Sequence, residues 1–302
     1  MGGTLSPVPS PWIQAEALRV DVAGSPVLDG VTLATTGRSV AILGAPRALF
    51  EACAAERTPT SGSLRIMGLS PEEASRLARV AVAPLDPPLP PAWTPRAYAT
   101  WGARLVGHDA DSAGRNARDA LAMLRMGSVS DTPLKGAPLH VRRGAVLAAA
   151  LATGAELLLF EDPTPGLADD VARTLARVLA QALDDTATSP GRAWVLFAAR
   201  LPLTSPFAHR ADEAFLFSRG QLARSGAPGE LAASEQTFHV RVNGPQDAFV
   251  DVLRKRGAEV VPADTHLTVR LDDALAPRDL FQLAEDAHVV LLELVPIADT
   301  FT

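Results

Sequence analysis

The sequence predicts an α/β fold built around a parallel sheet, followed by a small α+β domain. Three observations predict it. Apolar runs without alternation, at 39–43, 157–160 and 194–198, suit strands buried on both faces, as in a parallel sheet. The first run ends at Gly44 and the second at adjacent carboxylates, Glu161 and Asp162. The carboxyl ends of such strands are where α/β proteins bind ligands. From Thr237 onward the texture changes to short alternating strands and helices.

Composition narrows the function classes. At 302 residues the chain has room for one large domain and a small one, and 47% hydrophobic residues can bury a substantial core. A net charge of −6 gives no basic field, so no nucleic-acid partner is expected. One cysteine, Cys53, excludes a disulfide framework and a multi-cysteine metal site, and fits a reducing compartment. No apolar run reaches the roughly 18 residues of a membrane span. No charged start followed by an apolar stretch marks a signal peptide. Any membrane role is expected from the cytoplasmic face, through a partner.

The elements follow in order. Residues 1–15, rich in Gly, Pro and Ser, read as a flexible tail. Residues 18–22 alternate as a strand, Gly24-Ser25-Pro26 turns, and 27–33 form a second strand. Thr36-Gly37-Arg38 turns again before the buried run at 39–43. Residues 80–82 are another apolar strand, and the proline-rich 85–91 must be a loop. Residues 93–134 read as helical: Tyr98, Trp101 and Leu105 fall at helical spacing, as do Ala117, Leu121 and Leu124. The aromatic stripe reads as ordinary core. Arg142-Arg143 lead an alanine-rich helix through Leu151. After Glu161-Asp162 comes a Pro-Thr-Pro-Gly break, then a helix over 171–183 with Val171, Leu175, Val178, Leu179 and Leu183 on one stripe. Residues 184–192 read as a surface loop, and 194–198 as a buried strand. In the last part, Phe238, Val240 and Val242 alternate, and a helix turns Phe249, Val252 and Leu253 inward. Leu267, Val269 and Leu271 alternate, a helix covers about 278–287, and 289–295 is a final strand. The order strand-helix-strand-strand-helix-strand is ferredoxin-like.

Four stretches carry a resemblance. Val-Leu-Asp-Gly-Val-Thr-Leu at 27–33, Pro-Thr-Ser-Gly-Ser-Leu-Arg-Ile-Met-Gly at 59–68, Glu-Asp-Pro-Thr-Pro-Gly-Leu at 161–167 and the 211–231 segment occur in this order. Together they resemble ATP-binding subunits of ATP-binding-cassette (ABC) transporters. The resemblance implies a P-loop-NTPase-like (ABC ATPase) sheet in a domain at 16–234, with a helical subdomain at about 93–140. It implies a small α+β ferredoxin-like domain at 235–302, like that of drug- or lipid-export and gliding-type subunits. The ending at 294–302 is similar too. The cofactors implied are ATP and Mg²⁺. The partners implied are an integral-membrane permease, docked on the helical subdomain, and a second ATP-binding subunit in a homo- or heterodimer.

The family's functional positions are altered throughout. A phosphate-binding loop needs glycines that free backbone N–H groups, a Lys for the phosphates and a Ser/Thr hydroxyl for Mg²⁺. Here Gly44 is followed by Ala45-Pro46-Arg47-Ala48-Leu49-Phe50, and Pro46 removes an N–H donor. The stretch reads as a plain strand-to-helix turn, with Arg47 the remaining phosphate contact. By resemblance, Leu85 stands where a Gln contacts Mg²⁺ and water. Ala137, Pro138, Leu139, His140 and Val141 stand where Leu-Ser-Gly-Gly-Gln clamps the γ-phosphate of the opposite protomer, and His140 reads as an exposed or capping residue. The acidic pair is inverted. Glu161 takes the Mg²⁺-ligand position and Asp162 the general base, and both also read as turn residues. Ala168 replaces the motif's last Asp, Arg200 replaces the γ-phosphate His, and Ala23 lies where an adenine-stacking aromatic belongs. His209 is too far along to substitute.

Charge-assisted hydrogen bonds contribute roughly 1.5–3 kcal/mol each, so losing three removes about 5–9 kcal/mol. A micromolar site holds about 8 kcal/mol in total. ATP and Mg²⁺ are therefore expected to bind weakly or not at all. The expected function is an ABC ATP-binding-subunit homologue at the inner face of the cell membrane, scaffolding or regulating a permease with lost or strongly impaired ATP hydrolysis. One alternative is a divergent active ATPase, with Arg47 or Arg200 replacing the missing Lys and His. The other is a nucleotide sensor that binds ATP without turnover.

Overall fold

The computed structural model describes residues 10–187, 191–201, 205–233, 237–263, 266–271 and 275–296. Strands β1 (Ile13–Val22) and β2 (Ser25–Ala34) form a hairpin whose turn, Ala23-Gly24, takes positive φ at both residues. Such a primed turn matches the right-handed twist of the strands it joins. After β3 (Ser39–Leu43) and the short helix α1 (Arg47–Cys53), β4 (Ser61–Ile66) returns to pair with β1. These make an antiparallel sheet in the order β2-β1-β4.

The central sheet collects α2 (Pro71–Arg76) and β5 (Val80–Ala83), then β6 (Leu157–Glu161), β7 (Ala193–Ala198), β8 (Glu213–Ser218) and β9 (Gln221–Gly226). Its order is β5-β6-β7-β3-β8-β9, parallel except for the closing β8-β9 hairpin. The unalternating runs are buried on both faces as their composition requires: all five residues of β3 and all six of β7. One face packs with α1 against the antiparallel sheet. The other packs against α3 (Pro95–Leu105), α4 (Ala110–Met123), α5 (Leu139–Ala152) and α6 (Asp169–Ala187).

Following α7 (Pro228–Ala233), the remaining chain forms β10 (Thr237–Asn243), α8 (Gln246–Lys255), β11 (Glu259–Pro262), β12 (Leu267–Arg270), α9 (Asp279–Asp286) and β13 (Val290–Pro296). The sheet order is β11-β12-β10-β13, antiparallel throughout. This is the ferredoxin-like arrangement its element order predicts. Its core is its own, built on Phe238, Val240, Phe249, Leu253, Leu267 and Leu280.

Three expectations are corrected. The chain is already a strand at Ile13, inside the stretch read as tail: Ile13 is fully buried, and its N–H and C=O are both bonded to Thr35. Helix α6 runs over 169–187 rather than 171–183. Asp169 and Asp170 occupy its first turn, where negative charge suits the helix dipole, and at the other end 184–187 is helix and not loop. The aromatic stripe of α3 is core only at Tyr98, which packs half-buried against it. Trp101 is 41% and Leu105 65% exposed. The physical reason is close approach: α3 turns Ala99, Gly102 and Ala103 toward α5, and a Cβ on Gly102 would sit 2.9 Å from the Ala149 carbonyl oxygen. Small residues take the buried side, which turns the large ones outward. Residues 297–302, within the ending that the sequence likens to the family extension, lie outside the described residues.

Candidate functional site

The carboxyl ends of β3, β5, β6 and β7 converge on a cleft of about 220 Å³. Its lining includes Pro46, Arg47, Leu85, Glu161, Asp162 and Ala198. Gly44 opens the turn out of β3. It has φ +67°, and a Cβ there would lie 2.7 Å from the Phe217 carbonyl oxygen, so only glycine fits. Its N–H is already committed to the Ala198 carbonyl at 2.9 Å. Pro46 precedes α1 without a side-chain cap, and Leu49 N–H donates to Pro46 O at 2.9 Å. The next residues, Ala48, Leu49 and Phe50, are buried in the core rather than turned to a ligand. Phe50 meets Phe197 edge-to-face at 5.3 Å.

Glu161 ends β6 and is the hub of the cleft. One carboxylate oxygen accepts the Leu85 N–H at 2.8 Å, and the other lies 3.5 Å from Arg47 Nε. Arg47 also lies 3.5 Å from Glu51, whose carboxylate is held by Arg57 at 2.6 Å. Four alternating charges thus neutralise one another around the turn. Asp162 also lines the cleft, but its Oδ1 is committed within its own turn. Its Oδ1 accepts both the Thr164 N–H at 2.9 Å and the Thr164 hydroxyl at 2.8 Å, closing an Asx turn. Burial pushes its carboxyl above the ordinary aspartate value, against the pull of the Thr164 bonds and the Arg143 charge.

The other positions lie apart from this cleft. Ala137 and Leu139 are half-buried, Pro138 precedes α5, and Val141 is buried. His140 is exposed and, with Val141 and Asp170, lines a separate groove of about 370 Å³. Arg200 lies two residues past β7, exposed and outside the lining of the cleft. Ala168 accepts from Ala172 at the start of α6, and Ala23 sits in the β1–β2 turn. Among the described residues, no group of three or more His, Cys, Asp or Glu side chains is placed to hold a metal ion.

Sequence reasoning missed Arg143. Its side chain is 5% exposed, on α5, and every arm of the guanidinium is used. Nε and Nη2 grip the Asp86 carboxylate at 3.2 and 2.9 Å, and Nη1 donates to the carbonyls of Pro163 and Pro165. The grip holds the Asp86 carboxyl below its ordinary value. Arg143 therefore joins the helical layer to the loops that follow β5 and β6. No short-range signal could have revealed it, since its partners lie 57, 20 and 22 residues away.

No family model matches the sequence, and no curated protein matches it significantly. Solved structures do. CbiO1 of Clostridium perfringens, part of the ABC transporter complex CbiONQ, superposes with a TM-score of 0.61 at 18% identity, covering 82% of this chain and 94% of that one. An ATP-binding subunit of an ABC transporter gives 0.63 at 15%, covering 74% and 92%. An ATP-binding cassette in its ADP conformation gives 0.58 at 15%, covering 72% and 91%. At this identity the likeness is one of architecture, and the architecture of this chain is that of ABC transporter ATP-binding subunits.

Proposed function

We propose that this chain works as an ABC ATP-binding-subunit homologue that binds a membrane permease and a second subunit of its own kind without turning over ATP. It would act from the cytoplasmic side, as a scaffold or regulator. One observation carries the reading: the carboxylate of Glu161 takes the Leu85 N–H and faces Arg47, so the groups nearest a phosphate position satisfy each other. The residues present do not fit a magnesium-bound triphosphate. Gly44 N–H is spent on Ala198, Pro46 has none, and no lysine or hydroxyl follows before Phe50 enters the core. The cleft, at about 220 Å³, falls below the roughly 300–1,000 Å³ of ordinary small-ligand sites.

The outward aromatic face of α3 supports a docking role. Trp101 is 41% exposed and meets the half-buried rings of Tyr98 and, from the loop before α3, Trp93 at centroid distances of 5.4–6.3 Å. Exposed large aromatics backed by others in this way are a feature of protein contacts. Among the described residues no helix is long and apolar enough to cross a membrane. The test is turnover: purified protein should release no phosphate from Mg-ATP above background. Hydrolysis at a few turnovers per minute, abolished by Glu161→Gln or Asp162→Asn, would overturn the reading.

A further inference from the structure

We propose that Glu161 is a built-in anion: its carboxylate stands where an external phosphate-like group would be held, and removing it uncovers a binding site for inorganic phosphate. The inference rests on the reading of the cleft given under Proposed function. It goes further by saying what keeps the cleft closed.

Two donors from different elements meet at one side chain. The Leu85 N–H comes from the loop after β5, and the Arg47 guanidinium from the start of α1. The Glu161 side chain is 15% exposed, so its charge is largely withdrawn from water and depends on these donors. Asp162 cannot replace it, because its Oδ1 already accepts two bonds from Thr164. Glu51 cannot fully replace it at Arg47, because Arg57 holds Glu51 more closely, at 2.6 Å against 3.5 Å. Truncating Glu161 therefore leaves a half-buried N–H without an acceptor and moves the local charge by one unit in the positive direction. It also enlarges the cleft by the volume of the lost carboxyethyl group. A small tetrahedral oxyanion supplies acceptors for both donors and restores the charge balance.

The experiment is a titration of the full chain with inorganic phosphate, read by calorimetry and by thermal shift. Wild type should bind phosphate at least tenfold more weakly than Glu161→Ala, and phosphate should raise the melting temperature of the variant alone. Adding Arg47→Ala to Glu161→Ala should abolish the gain. Glu161→Gln, which keeps the shape and loses the charge, should fall between the two and serves if the alanine variant does not fold. Equal phosphate affinity in wild type and a folded variant, or none in either, would overturn the proposal. Mg-ATP titrated into wild type separates the two readings. Hydrolysis of that Mg-ATP by wild type sinks the proposed function, whereas a missing phosphate gain in the variants sinks only the inference about Glu161.

Discussion

Leu85 and Asp86 are neighbours in one loop and are held in opposite ways. Leu85 offers a backbone N–H to Glu161 at the rim of an open cleft, where the second partner, Arg47, has a side chain 61% exposed. Asp86 gives its carboxylate to Arg143, a buried guanidinium that also gathers two carbonyls from the loop after β6. The first contact lies in the lining of the cleft. The second braces three segments of the fold: α5 and the loops after β5 and β6. Exposed ion pairs contribute about 0–1 kcal/mol, whereas a buried polar group left without its partner costs about 1–3 kcal/mol. Under the proposed reading the fold is braced by Arg143, while Glu161, Arg47 and the Leu85 N–H satisfy one another in the cleft.

The largest effect should come from the brace. Arg143→Ala leaves the Pro163 and Pro165 carbonyls without their donor and frees the half-exposed Asp86, and should lower unfolding free energy by about 2–4 kcal/mol in urea titrations. Arg143→Lys should recover only part of this, because an ammonium cannot reproduce the bidentate fork. A loss below about 1 kcal/mol would put the brace on a level with surface pairs and erase the contrast.

A smaller effect with a definite pH dependence should come from the two aspartates. Asp86→Asn should cost about 1 kcal/mol at neutral pH, because the Asp86 side chain is 52% exposed. The sign follows from linkage. Arg143 lowers the folded-state pKa of Asp86, so its stabilisation is present above the ordinary aspartate value of 3.8 and is lost as pH falls through the lowered folded value. The gap between wild type and Asp86→Asn should therefore close in acid. Asp162 runs the other way. Burial raises its folded-state pKa, so the native state loses stability as pH rises from 3.8 through that raised value. Asp162→Asn, which can still accept from Thr164, should gain on wild type as pH rises through the same window. Parallel pH profiles for the two variants would contradict these environments.

The fold was legible in the sequence because burial on both faces leaves a mark. The unalternating runs ending at Leu43, Glu161 and Ala198 are strands of one sheet, and the alternation at Phe238, Val240 and Val242 is one strand of another. The turn out of β3 could be read from Gly44 and Pro46, each of which restricts the backbone. Three things were not legible. The Leu85 donor is a backbone N–H, which carries no residue signature. The brace joins residues far apart in the chain, and a double arginine at a helix start looks like a solvated face. The exposure of Trp101 depends on small residues one turn away setting the approach of α3 to α5, which periodicity alone does not register.

The most direct measurement is a crystal structure of the full chain with a non-hydrolysable ATP analogue and magnesium. The account predicts that the Glu161 carboxylate remains on the Leu85 N–H and that no ordered triphosphate lies beside Arg47. An ordered triphosphate with its metal between Arg47 and Glu161 would contradict it.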